Sequence, residues 1–180
     1  MNNLVIDDNL FLAPLEAEHA PALFEAVDND RSHLAVFLPW VNNMRSVQDF
    51  SSYIKNCELL YRQQKEISFV IIHKKNLVGR IGLNHIDQQN KTAAIGYWLV
   101  KSAEGAGIIS KSCKALIHSA FNAIGLNRIE IRVATHNKKS EAIPKRLGFI
   151  KEGVLRQAEI VNETYFDITV YALLKSDVSK

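Results

Sequence analysis

From Ile67 to Ile72 the chain runs almost without interruption through β-branched and aromatic residues, and a second such run spans Leu77 to Asn84. The residues between them, His73-Lys74-Lys75-Asn76, are polar and suit a hairpin turn, so the two runs are expected to pair antiparallel. A third run, Ala93 to Val100, holds Ile95, Tyr97, Trp98 and Leu99. Arg128 to Val133 alternates apolar and polar with the period of a half-buried strand. Leu10 to Leu15 reads as a short first strand ended at Pro14. Two strands close the chain, near Ile150 to Ile160 and Thr164 to Leu174, joined at Asn162-Glu163.

Elsewhere the apolar positions recur with a helical period. Ala20, Leu23, Phe24 and Val27 share one face, with Pro21 tolerated in the first turn. Pro39 forces its neighbourhood into an extended or turned path. Ser46 then offers a cap with Asp49 three residues on, and Val47, Phe50, Tyr53, Ile54, Cys57 and Tyr61 line one side of a second helix. A third helix from about Ile108 buries Ile109, Cys113, Leu116, Ile117, Ala120 and Ile124, with Gly125 as its stop. Glu141 to Leu147 forms a short fourth helix, made irregular by Pro144, and Gly148 ends it. The sum is about seven strands and four helices in an α/β (α+β) class with a mixed, mostly antiparallel sheet. With no repeat and no linker, a single domain over residues 1–180 is expected.

Composition narrows the function classes. The 180 residues are 47% hydrophobic and 23% charged, as in ordinary globular proteins. A formal net charge of +3 without a Lys/Arg cluster argues against nucleic acid. No apolar run approaches the ~20 residues that span a bilayer. The opening MNNLVIDDNLF is acidic where a signal peptide would be apolar, and Cys57 and Cys113 fall on apolar helix faces. A soluble, reduced, cytoplasmic protein is expected.

The segment with the most chemistry runs from Ile95-Gly96-Tyr97-Trp98-Leu99-Val100 into Glu104-Gly105-Ala106-Gly107-Ile108-Ile109-Ser110. A strand ends, a loop with two glycines follows, and a helix begins. Glycines let backbone approach a bulky anion, and the first helical turn presents unpaired N–H groups at the positive end of the helix dipole. Such a turn suits a pyrophosphate. Taken alone, the Gly-x-Gly tripeptide is more often a plain tight turn, and the loop is neither a Walker P-loop nor a dinucleotide fingerprint.

Together with Asn137-Lys138-Lys139-Ser140 and Leu147-Gly148-Phe149 downstream, the segment from Ile95 to Leu116 resembles the GNAT acetyltransferase superfamily. The IGYWL strand, the GII helix start, the Asn-x-x-Ser and the late Gly-Phe are similar to the ribosomal-protein N-terminal acetyltransferases of the RimJ/RimL kind, and nearest to the RimL serine acetyltransferases. The likeness covers nearly the whole chain. It implies the GNAT acyl-CoA N-acyltransferase fold, acetyl-CoA as co-substrate, and no metal. It also implies an amine acceptor: a peptide or protein N-terminus of the ribosomal-protein type. Relatives often pair, so a homodimer is the assembly that the resemblance implies. Two departures stand out. Glu104 occupies a position where the family has Gln or Arg, and Ile109 one where it has Gly or Ala.

Carried over residue by residue, the resemblance gives Glu104, Gly105, Ala106, Gly107, Ile108 and Ile109 as the pyrophosphate loop, whose amides make the contacts while the Glu104 side chain faces away. Trp98, Leu99 and Val100 would hold the pantetheine as an added strand, with the Leu99 amide as oxyanion donor. Asn137 would bond the pantetheine arm, and Lys145, with Arg146, would meet the 3′-phosphate. Phe37 and Trp40 would wall the acceptor site.

Acetyl transfer from a thioester requires that the amine lose a proton, the carbonyl oxygen be stabilised and the leaving thiolate be protonated. An α-amino group, with a pKa of about 7.7–8.0, needs only one moderate base. Glu66 is the candidate base and Ser140 the candidate acid. The plain alternatives are a solvated strand-end carboxylate and a helix-cap hydroxyl. His85, His118 and His136 lack metal-ligand spacing, so no metal site is expected. A small-amine acetyltransferase, acting on a polyamine or amino sugar, and a CoA-binding sensor without turnover are the competing functions.

Overall fold

One eight-stranded sheet runs through the computed structural model, which describes residues 1–178. In chain order the strands are β1 Leu4–Asp7, β2 Leu10–Pro14, β3 Ile67–His73, β4 Asn76–Asp87, β5 Thr92–Leu99, β6 Arg128–Ala134, β7 Ile150–Val161 and β8 Thr164–Leu174. The helices are α1 Ala20–Asn29, α2 Arg31–Leu34, α3 Val47–Arg62, α4 Ile108–Ser119, α5 Lys138–Arg146 and α6 Lys175–Val178. The strands lie in the order β1-β2-β3-β4-β5-β6-β8-β7.

The expected hairpins form. Lys74 and Lys75 take φ of 50° and 68° between β3 and β4, and Asn162 and Glu163 take 48° and 64° between β7 and β8. Ser46 caps α3 by accepting from the Asp49 amide. The third helix keeps α geometry only to Ser119, then widens into a π turn, Ala120–Ile124, before Gly125 stops it at φ 79°. The extra strand is β1, whose four residues carry too short an alternation to be told from loop; it adds to β2 with Leu4 opposite Leu12. The two extra helices, α2 and α6, are single turns of four residues each.

The sheet is covered on both faces, and strand alternation sorts the core between them. In β3, Phe69 and Ile71 join the cluster under α4, with Ile81, Leu83, Leu116 and Ile129. Val70 faces the other way, into the cluster of Leu23, Val27, Phe50, Ile54 and Trp98 under α1 and α3.

The pairing of β5 with β6 is parallel, whereas the other neighbours are antiparallel, and it is brief. Thr92, Ala93 and Ala94 match Arg128, Ile129 and Glu130, and the ladder stops there. Beyond Ala94, β5 stays with β4 as far as Leu99, while β6 stays with β8 as far as Ala134. The two strands therefore diverge, and the sheet opens into a notch between them.

Candidate active site

The notch exposes a strand edge whose phase can be worked out. The Val100 amide donates to the Val78 carbonyl at 2.9 Å. Bonded and unbonded pairs alternate along an antiparallel ladder. Leu99 opposite Gly79 and Tyr97 opposite Ile81 are thus unbonded pairs, and their N–H and C=O groups point away from β4 into the notch. Among the described residues the Leu99 amide has no partner, so it can meet an incoming group. The Val100 amide cannot, because β4 already uses its one donor, which leaves the Val100 carbonyl as the backbone group it can offer a pantetheine.

At the mouth of the notch stands the start of α4. Gly105 and Gly107 have φ of 81° and 72°, a conformation that a side chain strains. Gly107 is the N-cap of α4 and no side chain caps the helix. The Lys111 amide closes the first helical bond onto the Gly107 carbonyl. The amides from Gly105 to Ser110 have no partner among the described residues. They border a groove of about 850 Å³ that also takes in Leu99, Glu104, Asn137, Ser140 and Arg146. Ala106 is exposed and does not line it.

Two side chains differ from their expected placement. Glu104 does not turn away. It lines the groove and bridges it, with Lys139 at 2.6 Å and His33 at 3.0 Å. Burial alone would raise its carboxyl, but the two partners prevail and hold it below the ordinary value. A paired carboxylate repels a phosphate far less than a bare one, which explains how Glu can stand in this loop. Lys145 turns aside to Glu141, one helical turn back, at 3.2 Å, and does not line the groove. Arg146, expected beside it, does line the groove and donates to Ser110 Oγ at 3.0 Å.

Ser140 is held by an arrangement that starts with Pro144. Proline has no N–H, so the Ser140 carbonyl four residues earlier loses its helical partner. The Tyr97 hydroxyl reaches across from β5 to that carbonyl at 3.2 Å and lies 3.1 Å from Ser140 Oγ. Burial pushes the Tyr97 phenol well above its ordinary range, so it stays a neutral hydroxyl. Asn137 caps α5, its Oδ1 accepting from the Ser140 amide at 3.1 Å.

On the α1–α3 face lies a second cavity, of about 640 Å³. Trp40, Met44, Phe50, Tyr53 and Trp98 make its apolar walls, and Glu66, Arg80 and Asn84 its polar floor. Trp98 lines both this cavity and the groove, so the two meet at the end of β5. Trp40 packs against Trp98 with ring centroids 6.1 Å apart. Phe37 lines the groove instead of this cavity and packs on His136 at 5.3 Å.

Glu66 is anchored by one oxygen. Arg80 Nη2 at 2.5 Å, Ser68 Oγ at 2.6 Å and the Cys57 thiol at 3.5 Å all meet its Oε1. Among the described residues Oε2 has no partner. Burial raises the Cys57 thiol, which keeps it protonated and donating. Arg80 lies flat on the sheet because Gly82 and Gly96 pair directly beneath it. A Cβ on Gly82 would come within 3.2 Å of Arg80 Nη2, and one on Gly96 within 2.6 Å of the Asn84 amide nitrogen.

Arg80, Tyr97, Lys139 and His33 are site residues that sequence reasoning did not single out. Arg80 had a signal: a lone cation in an apolar strand, between Gly79 and Gly82. Tyr97 had one too, in the proline four residues after Ser140, but only the fold reveals its partner.

A splayed sheet, a glycine-capped helix start with open amides, and a hydroxyl beside the free strand edge define an acyl-CoA-dependent acyltransferase. The chain matches the acetyltransferase (GNAT) domain family over residues 9–150 and belongs to that family. It is 34% identical to the ribosomal-protein-serine acetyltransferase of Escherichia coli (strain K12), over 93% of each chain. Among solved structures, it superposes on RimL, a ribosomal L7/L12 α-N-protein acetyltransferase in complex with coenzyme A, with a TM-score of 0.93. Identity there is 29%, covering 96% of this chain and 98% of that one. The microcin C7 self-immunity acetyltransferase MccE, in complex with acetyl-CoA and AMP, gives 0.90 at 29% identity, over 94% of each. The chain is an acetyl-CoA-dependent N-acetyltransferase.

Proposed function

We propose that this enzyme acetylates the α-amino group of a protein N-terminus, of the ribosomal-protein type, by direct attack in a ternary complex. The observation that carries this is the junction of groove and cavity at Trp98, which brings donor and acceptor to the same strand end from two sides. The substrate class is supported by RimL, a ribosomal L7/L12 α-N-protein acetyltransferase, and by the ribosomal-protein-serine acetyltransferase of Escherichia coli, both of which act on ribosomal proteins.

In this mechanism the amides of Gly105 to Ser110 and the guanidinium of Arg146 hold the diphosphate end of acetyl-CoA, and the Tyr97–Leu99 edge holds the pantetheine. Oε2 of Glu66 takes a proton from the amine, directly or through a water. The Leu99 amide donates to the carbonyl oxygen as it gains charge. Ser140, steered by Tyr97 and Asn137, protonates the sulfur as the C–S bond breaks and the C–N bond forms.

A polyamine acceptor is the weaker reading. The carboxylate in the cavity lining, Glu66, is already neutralised by Arg80, and Lys65 adds a second cation. A polycation would enter against net positive charge. The test is thiol release from acetyl-CoA with a panel of N-terminal peptides and polyamines. Peptide turnover is expected; turnover with polyamines alone would overturn the proposal. Ser140→Ala is expected to lower kcat by about one to two orders of magnitude with CoA affinity nearly unchanged. Unaltered turnover would remove Ser140 from the chemistry.

A further inference from the structure

The mouth of the acceptor cavity holds two polar side chains that the transfer chemistry does not use. Lys65, just before β3, and His85, near the end of β4, both line the cavity and are both exposed. The Ile86 amide donates to the Lys65 carbonyl at 3.0 Å, which clips the two segments side by side. Neither side chain has a hydrogen-bond or ion-pair partner among the described residues.

His85 is also held in an unfavourable backbone conformation. Its φ is 53°, in the stretch where the β4–β5 register slips between Asn84 and Asp87. A bulge of this kind redirects a side chain, and a non-glycine residue at positive φ persists only where the surroundings impose it. Asp87, two residues on, cannot serve Lys65 or His85. Its carboxylate accepts from the Gln89 and Asn90 amides and from the Asn90 side chain. The mouth therefore presents a cation and an imidazole with no anion of its own, while the anion on the floor is matched by Arg80.

We infer that the acceptor carries an acidic side chain one or two residues after its reacting amine, and that Lys65 and His85 are the specificity-determining residues that receive it. This rests on the N-terminal reading above. With the amine at Glu66, the next residues of an extended peptide pass the cavity mouth at about 3.3 Å per residue. An acidic group there meets Lys65 and the imidazole N–H. A basic group meets the same cation, unrelieved.

The test uses hexapeptides with a free N-terminus that differ only in carrying Asp, Asn or Lys at positions two and three. It is run on the wild type and on Lys65→Gln with His85→Gln. For the wild type, KM for the Asp peptides is expected about tenfold below that for the Lys peptides, with kcat similar, the size expected of a few exposed charge contacts. The double variant should lose the preference while keeping its thermal stabilisation by coenzyme A. Equal KM across the three peptides, or a preference that survives the double variant, would overturn the inference and leave the N-terminal reading standing. Absence of turnover with every peptide would overturn both.

Discussion

Ser140 illustrates how a hydroxyl of ordinary chemistry is made useful by fixing its position. Pro144 frees the Ser140 carbonyl, Tyr97 takes it up, and Asn137 holds the amide, so the residue's backbone is pinned at both its carbonyl and its amide. Tyr97→Phe removes one pin without altering the fold's core. It is expected to lower kcat about tenfold, with KM for acetyl-CoA little changed. A kcat equal to the parent would show that Tyr97 does not position Ser140. Glu66 makes a different point. Its Oε1 is saturated and its Oε2 is open, so Glu66→Gln keeps the Oε1 acceptor of Arg80 and Ser68 while removing the proton acceptor and the charge paired with Arg80. The rate should then depend on the fraction of amine already unprotonated, and the optimum should move to higher pH. An unshifted pH profile would exclude Glu66 as base. Asn137 and Ser140 were legible in the sequence because their spacing is local. The ties of Glu104 to His33 and Lys139 were not, since they join residues far apart in the chain and depend on α2 and α5 facing each other across the groove.

At the scale of elements, the proposed mechanism places the cofactor at the start of α4 and the acid on α5. Gly107→Ala would force an alanine into φ near 72°, at a cost of about 1–2 kcal/mol. The loop is expected to relax and tilt its amides. Coenzyme A affinity should fall about tenfold, with Tm lower by a few degrees, as calorimetry can check. α5 is tied to the sheet by Glu141, whose carboxylate accepts from the buried Tyr171 hydroxyl at 2.8 Å and pairs with Lys138 and Lys145. These contacts, Tyr171 foremost, hold the carboxyl at about 2, below its ordinary value of 4.5. A lowered value means stabilisation present above about pH 4.5 and lost as pH falls toward 2. Glu141→Gln should therefore lower Tm by several degrees at pH 7, and the gap should close across that acid window. A gap independent of pH would show that the charge is not what anchors α5.

For the whole molecule, the decisive feature is that two well-paired halves of the sheet part company after Ala94. Most strands were readable beforehand because Ile67 to Ile72 and Leu77 to Asn84 are dense in β-formers and Lys74-Lys75 marks the turn. The divergence of β5 and β6 was not readable, because it depends on which partner each strand keeps, and periodicity is silent on partners. The notch makes one claim central: the Gly105–Ser110 amides hold the diphosphate of acetyl-CoA while the Leu99 amide meets its thioester carbonyl. Backbone ¹⁵N–¹H NMR titration with acetyl-CoA, in the absence of an acceptor amine, measures this directly. The expected result is that the largest shifts fall on Gly105 to Ser110 and on Leu99, with Val100 perturbed less because its amide is already bonded to Val78. Saturable binding that leaves the Gly105–Ser110 and Leu99 resonances in place would contradict the account.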